Sequence, residues 1–329
     1  MTPQPTTVRS TGSPERAQLR APGEGRGAVA LVLGGAMSVQ FGAAVAALLF
    51  PRVGVAGVVT LRLVIAAVVL LVACRPRLRG YDRDDWLLIV GFGAALAGMN
   101  TLIYEAIDRI PLGAAVTLEV LGPLVLSVVA GRRPMTWLWA LLALGGVVFL
   151  GRGVNGLDVV GVGFALAAAV MWAAYILLSA RTGHRFPKAD GLALAMTVAA
   201  AMTLPLGLAA GTSLFDPVTI GLGTAVAALS SVLPYTLEML ALRQMPTCTF
   251  AVLMSLGPAI AAAAGYLVLG QALTLVQVVG VGLVVAASAG AVAARTTTHG
   301  SALTWHHSEL RGSAAGGDLT MAPREGCQV

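Results

Sequence analysis

Ten long apolar runs, separated by short polar punctuation, restrict the fold of this chain more than anything else in it. They cover residues 28–49, 53–74, 86–107, 112–130, 136–151, 159–180, 191–210, 218–240, 246–269 and 273–294. A helix that crosses a bilayer needs about 20 residues. A backbone in hydrocarbon must also satisfy its own hydrogen bonds, which for runs of this kind means helices. The separators carry proline and charge, which end apolar helices at an interface: Phe50-Pro51-Arg52, Arg75-Pro76-Arg77, Gly131-Arg132-Arg133-Pro134 and Asp216-Pro217. Trp86, Trp137 and Trp139 stand near run starts, where interfacial aromatics belong. The expected architecture is an all-α integral membrane protein with ten transmembrane helices.

Composition closes the alternatives. Of 329 residues 57% are hydrophobic and 11% charged, with a mean hydropathy of +0.85. The apolar excess runs along the whole chain, so a soluble enzyme on a single tether is excluded. Residues 1–27 and 295–329 are polar, aperiodic and expected to be disordered, a cytoplasmic leader and a cytoplasmic tail. The leader is no signal peptide, because the run that follows is too long and no small-residue cleavage site closes it. The net charge of +6 reflects topology rather than nucleic acid, since the arginines sit between runs. With the N-terminus inside, seventeen Arg and Lys fall on cytoplasmic segments and three on external loops, which places both termini in the cytoplasm.

The runs also repeat. Ile110-Pro111 leads to Leu121-Gly122-Pro123, and Met245-Pro246 leads to Leu256-Gly257-Pro258, each pair offset by 135 residues. That offset spans five runs, an odd number, so the halves 28–151 and 159–294 are expected to lie in opposite orientations. Inverted repeats with proline-broken helices at matching positions mark secondary transporters. Gly122, Pro123, Gly257 and Pro258 are the expected helix breaks.

Charged residues inside the runs are the candidates for chemistry. Glu119 lies mid-run just before Pro123, and Arg62 lies nine residues into the second run. A charge at the bilayer centre costs roughly 2.5–3.5 kcal/mol on insertion scales and points to function. An arginine suits a carboxylate ligand, which it grips through two parallel hydrogen bonds. Glu238 and Glu105 lie nearer run ends, where interfacial pairing competes with function. Gln40, Asn100, Tyr104, Trp172, Tyr175 and Tyr235 are polar or amphipathic within runs and together could line a cavity. The Gly282-x-x-x-Ala286-x-x-x-Gly290 series reads as a close helix contact, with a homodimer face as the other reading. Cys74, Cys248 and Cys327 form no metal or disulfide pattern, and His184, His299, His306 and His307 lie outside the runs, so no metal or cofactor is expected. No phosphate-binding loop is present, so transport must draw on an ion or substrate gradient.

The chain resembles the EamA branch of the drug/metabolite transporter superfamily, and within it the bacterial threonine/homoserine exporters. The likeness covers residues 28–294. It is carried by Ser38-Val39-Gln40, Leu49-Phe50-Pro51, Gly98-Met99-Asn100 and Tyr104, and by Ile110-Pro111-Leu112-Gly113, Leu118-Glu119, Gly122-Pro123-Leu124 and Arg132-Arg133-Pro134. In the second half it is carried by Leu233-Pro234-Tyr235, Leu237-Glu238-Met239 and Leu253-Met254-Ser255. The resemblance implies a ten-helix inner-membrane exporter of small amphiphilic amino acids driven by protons. Relatives usually carry glutamate where this chain has Gly257 and Gln271. Export of another small metabolite or drug is the alternative cargo, and a membrane enzyme or scaffold the alternative class. In the transporter reading Glu119 exchanges the proton, Arg62 holds the substrate carboxylate, and the two pair with each other in the empty carrier.

Overall fold

A computed structural model of the chain describes residues 22–76, 80–131, 134–151, 157–186, 189–209, 211, 216–242, 244–245 and 247–291. Helix is the regular structure throughout, with no strand among the described residues. The first half contains α1 (Pro22–Ala47), α2 (Phe50–Cys74), α3 (Arg83–Arg109), α4 (Leu112–Glu119), α5 (Leu121–Gly131) and α6 (Pro134–Gly151). The second contains α7 (Val159–Arg185), α8 (Asp190–Ala209), α9 (Pro217–Ala227), α10 (Leu233–Leu242), α11 (Thr247–Met254), α12 (Gly257–Leu269) and α13 (Leu275–Ala291). A π-helical turn, Ala228–Val232, joins α9 to α10.

Among the described residues, six stretches are long and apolar enough to cross a membrane: Gly27–Ala47, Phe50–Cys74, Arg83–Arg109, Val159–Arg185, Asp190–Ala209 and Thr249–Leu269. Shorter apolar helices, Leu112–Leu126, Leu141–Leu150, Pro217–Ser231 and Leu275–Ala291, lie within the other four runs. The chain is a multi-pass membrane protein.

Two boundaries differ from expectation. α1 begins at Pro22, inside the segment expected to be disordered. Proline is well placed in a first helical turn, and a membrane helix need not stop at the lipid surface. α2 starts with a separate turn at Phe50, and Gly54, at φ 66°, takes up the bend before the long span. Only glycine enters that region without strain.

The packing is layered around α2 and α8. α2 lies on α8, α3 on α7 and α8, and α1 on α9, α10 and the π-turn. α4 and α5 pack on α7, while α11 and α12 pack on α1. Small residues permit the closest approaches, as is usual where van der Waals contact rather than water drives helix association. A Cβ on Gly207 would strike Thr60, and one on Gly280 would strike the Gly146 backbone. On α13 the inward contact therefore belongs to Gly280, with Val284 and Ala287 buried beside it. Gly282 and Ala286, expected to make that contact, are exposed, and Gly290 rests on the ring of Trp139. A helical turn of 3.6 residues puts Gly280, Val284 and Ala287 on one side and leaves Gly282 on the other. Trp139, partly buried, packs against that end of α13.

Candidate functional site

The site begins with three prolines inside apolar helices. A proline offers no N–H to the carbonyl four residues earlier. Pro123 therefore leaves the Glu119 carbonyl unserved, Pro258 leaves that of Met254, and Pro234 leaves that of Ser230. α4 ends at Glu119 and α5 starts at Leu121, while α11 ends at Met254 and α12 starts at Gly257. Before Pro234 the helix widens into the π-turn, with Leu233 N–H donating to the Ala228 carbonyl five residues back. Single π-turns of this kind are frequent at functional sites.

The widened turn turns two carbonyls outward, and each finds a side chain. Ser38 Oγ on α1 donates to the Leu229 carbonyl at 2.6 Å, and Arg62 Nη2 on α2 donates to the Ser230 carbonyl at 3.3 Å. Arg62 Nη1 donates to the Tyr104 hydroxyl at 3.0 Å, and its guanidinium carbon lies 5.6 Å from the Tyr104 ring centre. Tyr104 is 1% exposed and held edge-on by Phe50, with ring centres 5.9 Å apart. Arg62 Nε is buried and has no hydrogen-bond partner, and neither has Ser230 Oγ. An intramembrane guanidinium is thus hydrogen-bonded by neutral groups, with Nε left unpartnered.

These residues wall a cavity of about 230 Å³ at the meeting of the broken helices. Gln40, Arg62, Asn100, Tyr104, Glu119, Trp172, Tyr175 and Glu238 all line it. They come from α1, α2, α3, α4, α7 and α10, so six elements bring eight expected residues to one space. Asn100 is buried and donates to the Leu96 carbonyl at 2.8 Å, leaving its amide oxygen for the cavity. Tyr175 stacks at a tilt on Phe92, with centres 5.4 Å apart. Glu238 lies against α1, its Cγ 3.5 Å from where a Cβ on Gly35 would stand.

Other expected residues go elsewhere. Tyr235 falls in α10, but its side chain lies outside the described residues. Glu105 pairs with Arg109 one turn on, at 2.5 Å, away from the cavity. Gly257 lines the cavity, Pro258 is buried behind it, and Pro123 lines a second cavity instead. Gly122 is required for packing, because a Cβ there would collide with the Ala169 carbonyl of α7. The ion pair expected between Arg62 and Glu119 is not formed. The Tyr104 hydroxyl and the Ser230 carbonyl take the guanidinium's nearest hydrogen bonds instead.

Ser230 and Met254, both cavity residues, were not singled out from sequence. Ser230 had a signal in Pro234 four residues on, and Met254 is the counterpart of Glu119 at the 135-residue offset. At the opposite end of α3, Arg185 of α7 binds Asp85 through Nε at 2.6 Å and Nη2 at 2.9 Å. That pair ties the first turn of α3 to the last turn of α7.

A multi-pass bundle of helices, broken around a buried cavity that holds an arginine and two glutamates, has the organisation of a membrane carrier. The model of the EamA-like transporter family matches residues 159–293. The threonine/homoserine exporter RhtA of Escherichia coli (strain K12) is 41% identical over 266 residues, 80% of this chain and 90% of that protein. RhtA of Salmonella typhimurium (strain LT2) is 40% identical over 257 residues, 77% of this chain and 87% of the relative. A protein crystal structure that is 20% identical shares the fold, with a TM-score of 0.51 over 80% of this chain and 98% of that one. The chain belongs to the EamA-like transporter family.

Proposed function

We propose that the chain is a secondary active exporter of small amino acids of the threonine and homoserine kind, exchanging them for protons across a bacterial cytoplasmic membrane. The exporters it matches in Escherichia coli and Salmonella support the cargo. The observation that carries the mechanism is the Arg62 guanidinium. It lies in the cavity wall with no carboxylate in hydrogen-bond or ion-pair contact, and its buried Nε is unused. A guanidinium edge matches a carboxylate in a bidentate contact, so Arg62 receives the carboxylate of an amino acid. Glu119 and Glu238 face the same space and receive its ammonium group.

Glu119 couples the two fluxes. No described side chain holds its carboxylate in a hydrogen bond or ion pair, so substrate ammonium and proton compete for it. A zwitterion carries no net charge, so exchange for one proton moves one positive charge inward. The membrane potential then contributes about 2.3 kcal/mol per 100 mV.

Ten helices in two inverted five-helix repeats are the frame we propose. Exchanging α1 with α7, α2 with α8, α3 with α9–α10, α4 with α11 and α5 with α12 carries several of the packed pairs onto one another. The α3–α7 contact becomes α1 with α9–α10, α5–α7 becomes α1–α12, α4–α7 becomes α1–α11, and α2–α8 is unchanged. The Asp85–Arg185 pair supports cytoplasmic termini, since it joins two segments that the arginine count assigns to one side.

Reconstituted vesicles test the reading. Threonine or homoserine should drive proton movement, and Glu119→Gln should insert and fold, lose proton-driven export and keep counterflow exchange. Wild-type export by Glu119→Gln across a pH series would overturn the coupling.

A further inference from the structure

A second cavity of about 320 Å³ lies against the first, beyond the two helix breaks. Val120, Trp172 and Met254 line both, so one partition separates them. The remaining wall is different in chemistry: Phe250, Ala251, Leu124 and Ala291 are apolar, and the polar side chains are Ser255 and Ser288. Ser255 Oγ is committed to the Val252 carbonyl at 2.6 Å. Ser288 is 7% exposed, and its buried Oγ has no hydrogen-bond partner. A buried hydroxyl without a partner in hydrocarbon is costly, which makes it the one uncommitted polar group among the described residues on this wall.

We infer that this second cavity is a side-chain subsite for amino acids larger than threonine, with an apolar side chain such as that of leucine or methionine. The inference rests on the amino-acid reading of the central cavity. The carboxylate and ammonium stay with Arg62 and Glu119, and the side chain passes the partition between Val120 and Met254. Methionine is the wall residue suited to yield, having three rotatable bonds and no branch. Pockets for drug-sized ligands run about 300–1,000 Å³, so the central cavity alone takes a small ligand and the pair takes a longer one. Ser288 offers its hydroxyl to a weakly polar end, such as a thioether, and otherwise only bounds the space.

Competition and binding measurements on purified full-length protein test this. In vesicles loaded for threonine counterflow, leucine should compete at least about tenfold better than alanine, since each further buried methylene adds up to about fourfold. Leucine should also raise the melting temperature of the detergent-solubilised protein. Ser288→Leu and Ala251→Leu fill the second cavity and touch only that one. Either should remove leucine's advantage over alanine while threonine counterflow stays within about twofold. If filling the cavity misfolds the protein, Ser288→Ala still keeps the argument exposed: it should weaken methionine relative to leucine. Equal competition by leucine and alanine in the wild type overturns the subsite, as does equal loss of leucine and threonine in a folded filled variant. Failure of the export reading looks different: no threonine flux, with leucine still stabilising the wild type and not the filled variants.

Discussion

Leu118-Glu119-Val120-Leu121-Gly122-Pro123 and Leu253-Met254-Ser255-Leu256-Gly257-Pro258 break their helices in the same way, 135 residues apart. Both put the residue before the break on the wall of the central cavity. In the first it is a glutamate and in the second a methionine. The glycines differ too. A Cβ on Gly122 would run into the Ala169 backbone, whereas one on Gly257 would meet only Gln40 Nε2, at 3.7 Å. The backbone of the two breaks is shared, and their chemistry is divided. The break opens room near mid-membrane in each half, because proline removes a backbone hydrogen bond in each. The polar groups are then divided unevenly: Arg62, Asn100, Tyr104 and Glu119 precede residue 151, their offset counterparts are Thr197, Tyr235, Met239 and Met254, and the second half adds Glu238 to the wall.

Moving the carboxyl from one break to the other gives the largest expected effect. Glu119→Met should reduce proton-driven export to the level of empty vesicles. Adding Met254→Glu should not restore it, because the guanidinium that shares the work is fixed to Tyr104 and the Ser230 carbonyl in the first-half geometry. Recovery of proton-coupled export in the double variant would show the breaks to be interchangeable and the division of labour to be incidental.

The two glycines come next. Gly122→Ala forces α4–α5 away from α7 and should destabilise the detergent-solubilised protein by about 1–3 kcal/mol, the usual range for overpacking. Gly257→Ala adds a methyl to open space and should change stability by no more than about 0.5 kcal/mol. Thermal unfolding of both, side by side, checks the contrast. Equal losses would mean that both breaks are equally tight.

Tyr104→Phe removes one hydrogen bond to Arg62 and keeps the ring that packs on Phe50. A hydrogen bond of this kind contributes about 1 kcal/mol, so substrate affinity should fall roughly fivefold with little change in folding. An unchanged affinity would show that the Ser230 carbonyl alone orients the guanidinium.

How much of this was legible in sequence depends on the kind of contact. The helices were readable because hydrocarbon leaves the backbone one way to satisfy itself over such runs. The breaks were readable because Pro123 and Pro258 act on residues four positions away on the same chain. Glu119 and Arg62 stood out as charges where charge is costly. Their partners did not. Arg62 meets Tyr104 across 42 residues and Ser230 across 168, and no local pattern encodes such pairings. The expected Arg62–Glu119 pair failed for the same reason: opposite charge was visible, but the carbonyl released by the π-turn was not. On α13 the spacing of small residues is visible in sequence and their facing is not, which is why the spacing points to Gly282 where Gly280 makes the contact.

The smallest expected effect separates charge from capping at the far end of the first broken helix. The backbone N–H of Leu112, the first residue of α4, donates to Gln271 Oε1 at 2.9 Å, joining the start of one half's broken helix to the loop after α12. First-turn N–H groups have no partner within the helix, and a side-chain oxygen that supplies one contributes about 1 kcal/mol. An amide oxygen can do this as a carboxylate can, so the glutamate that the family resemblance implies at this position need not be a proton carrier. Gln271→Leu should lower stability by about 1 kcal/mol, since it leaves the Leu112 N–H unserved. Gln271→Glu should match the wild type or gain a few tenths of a kcal/mol, because an anion near a helix N-terminus is favoured. Export by Gln271→Glu should keep the wild-type pH profile. A shifted profile would show that a carboxyl at 271 joins the proton path, and that the second half can hold part of the coupling chemistry that Glu119 carries in the first.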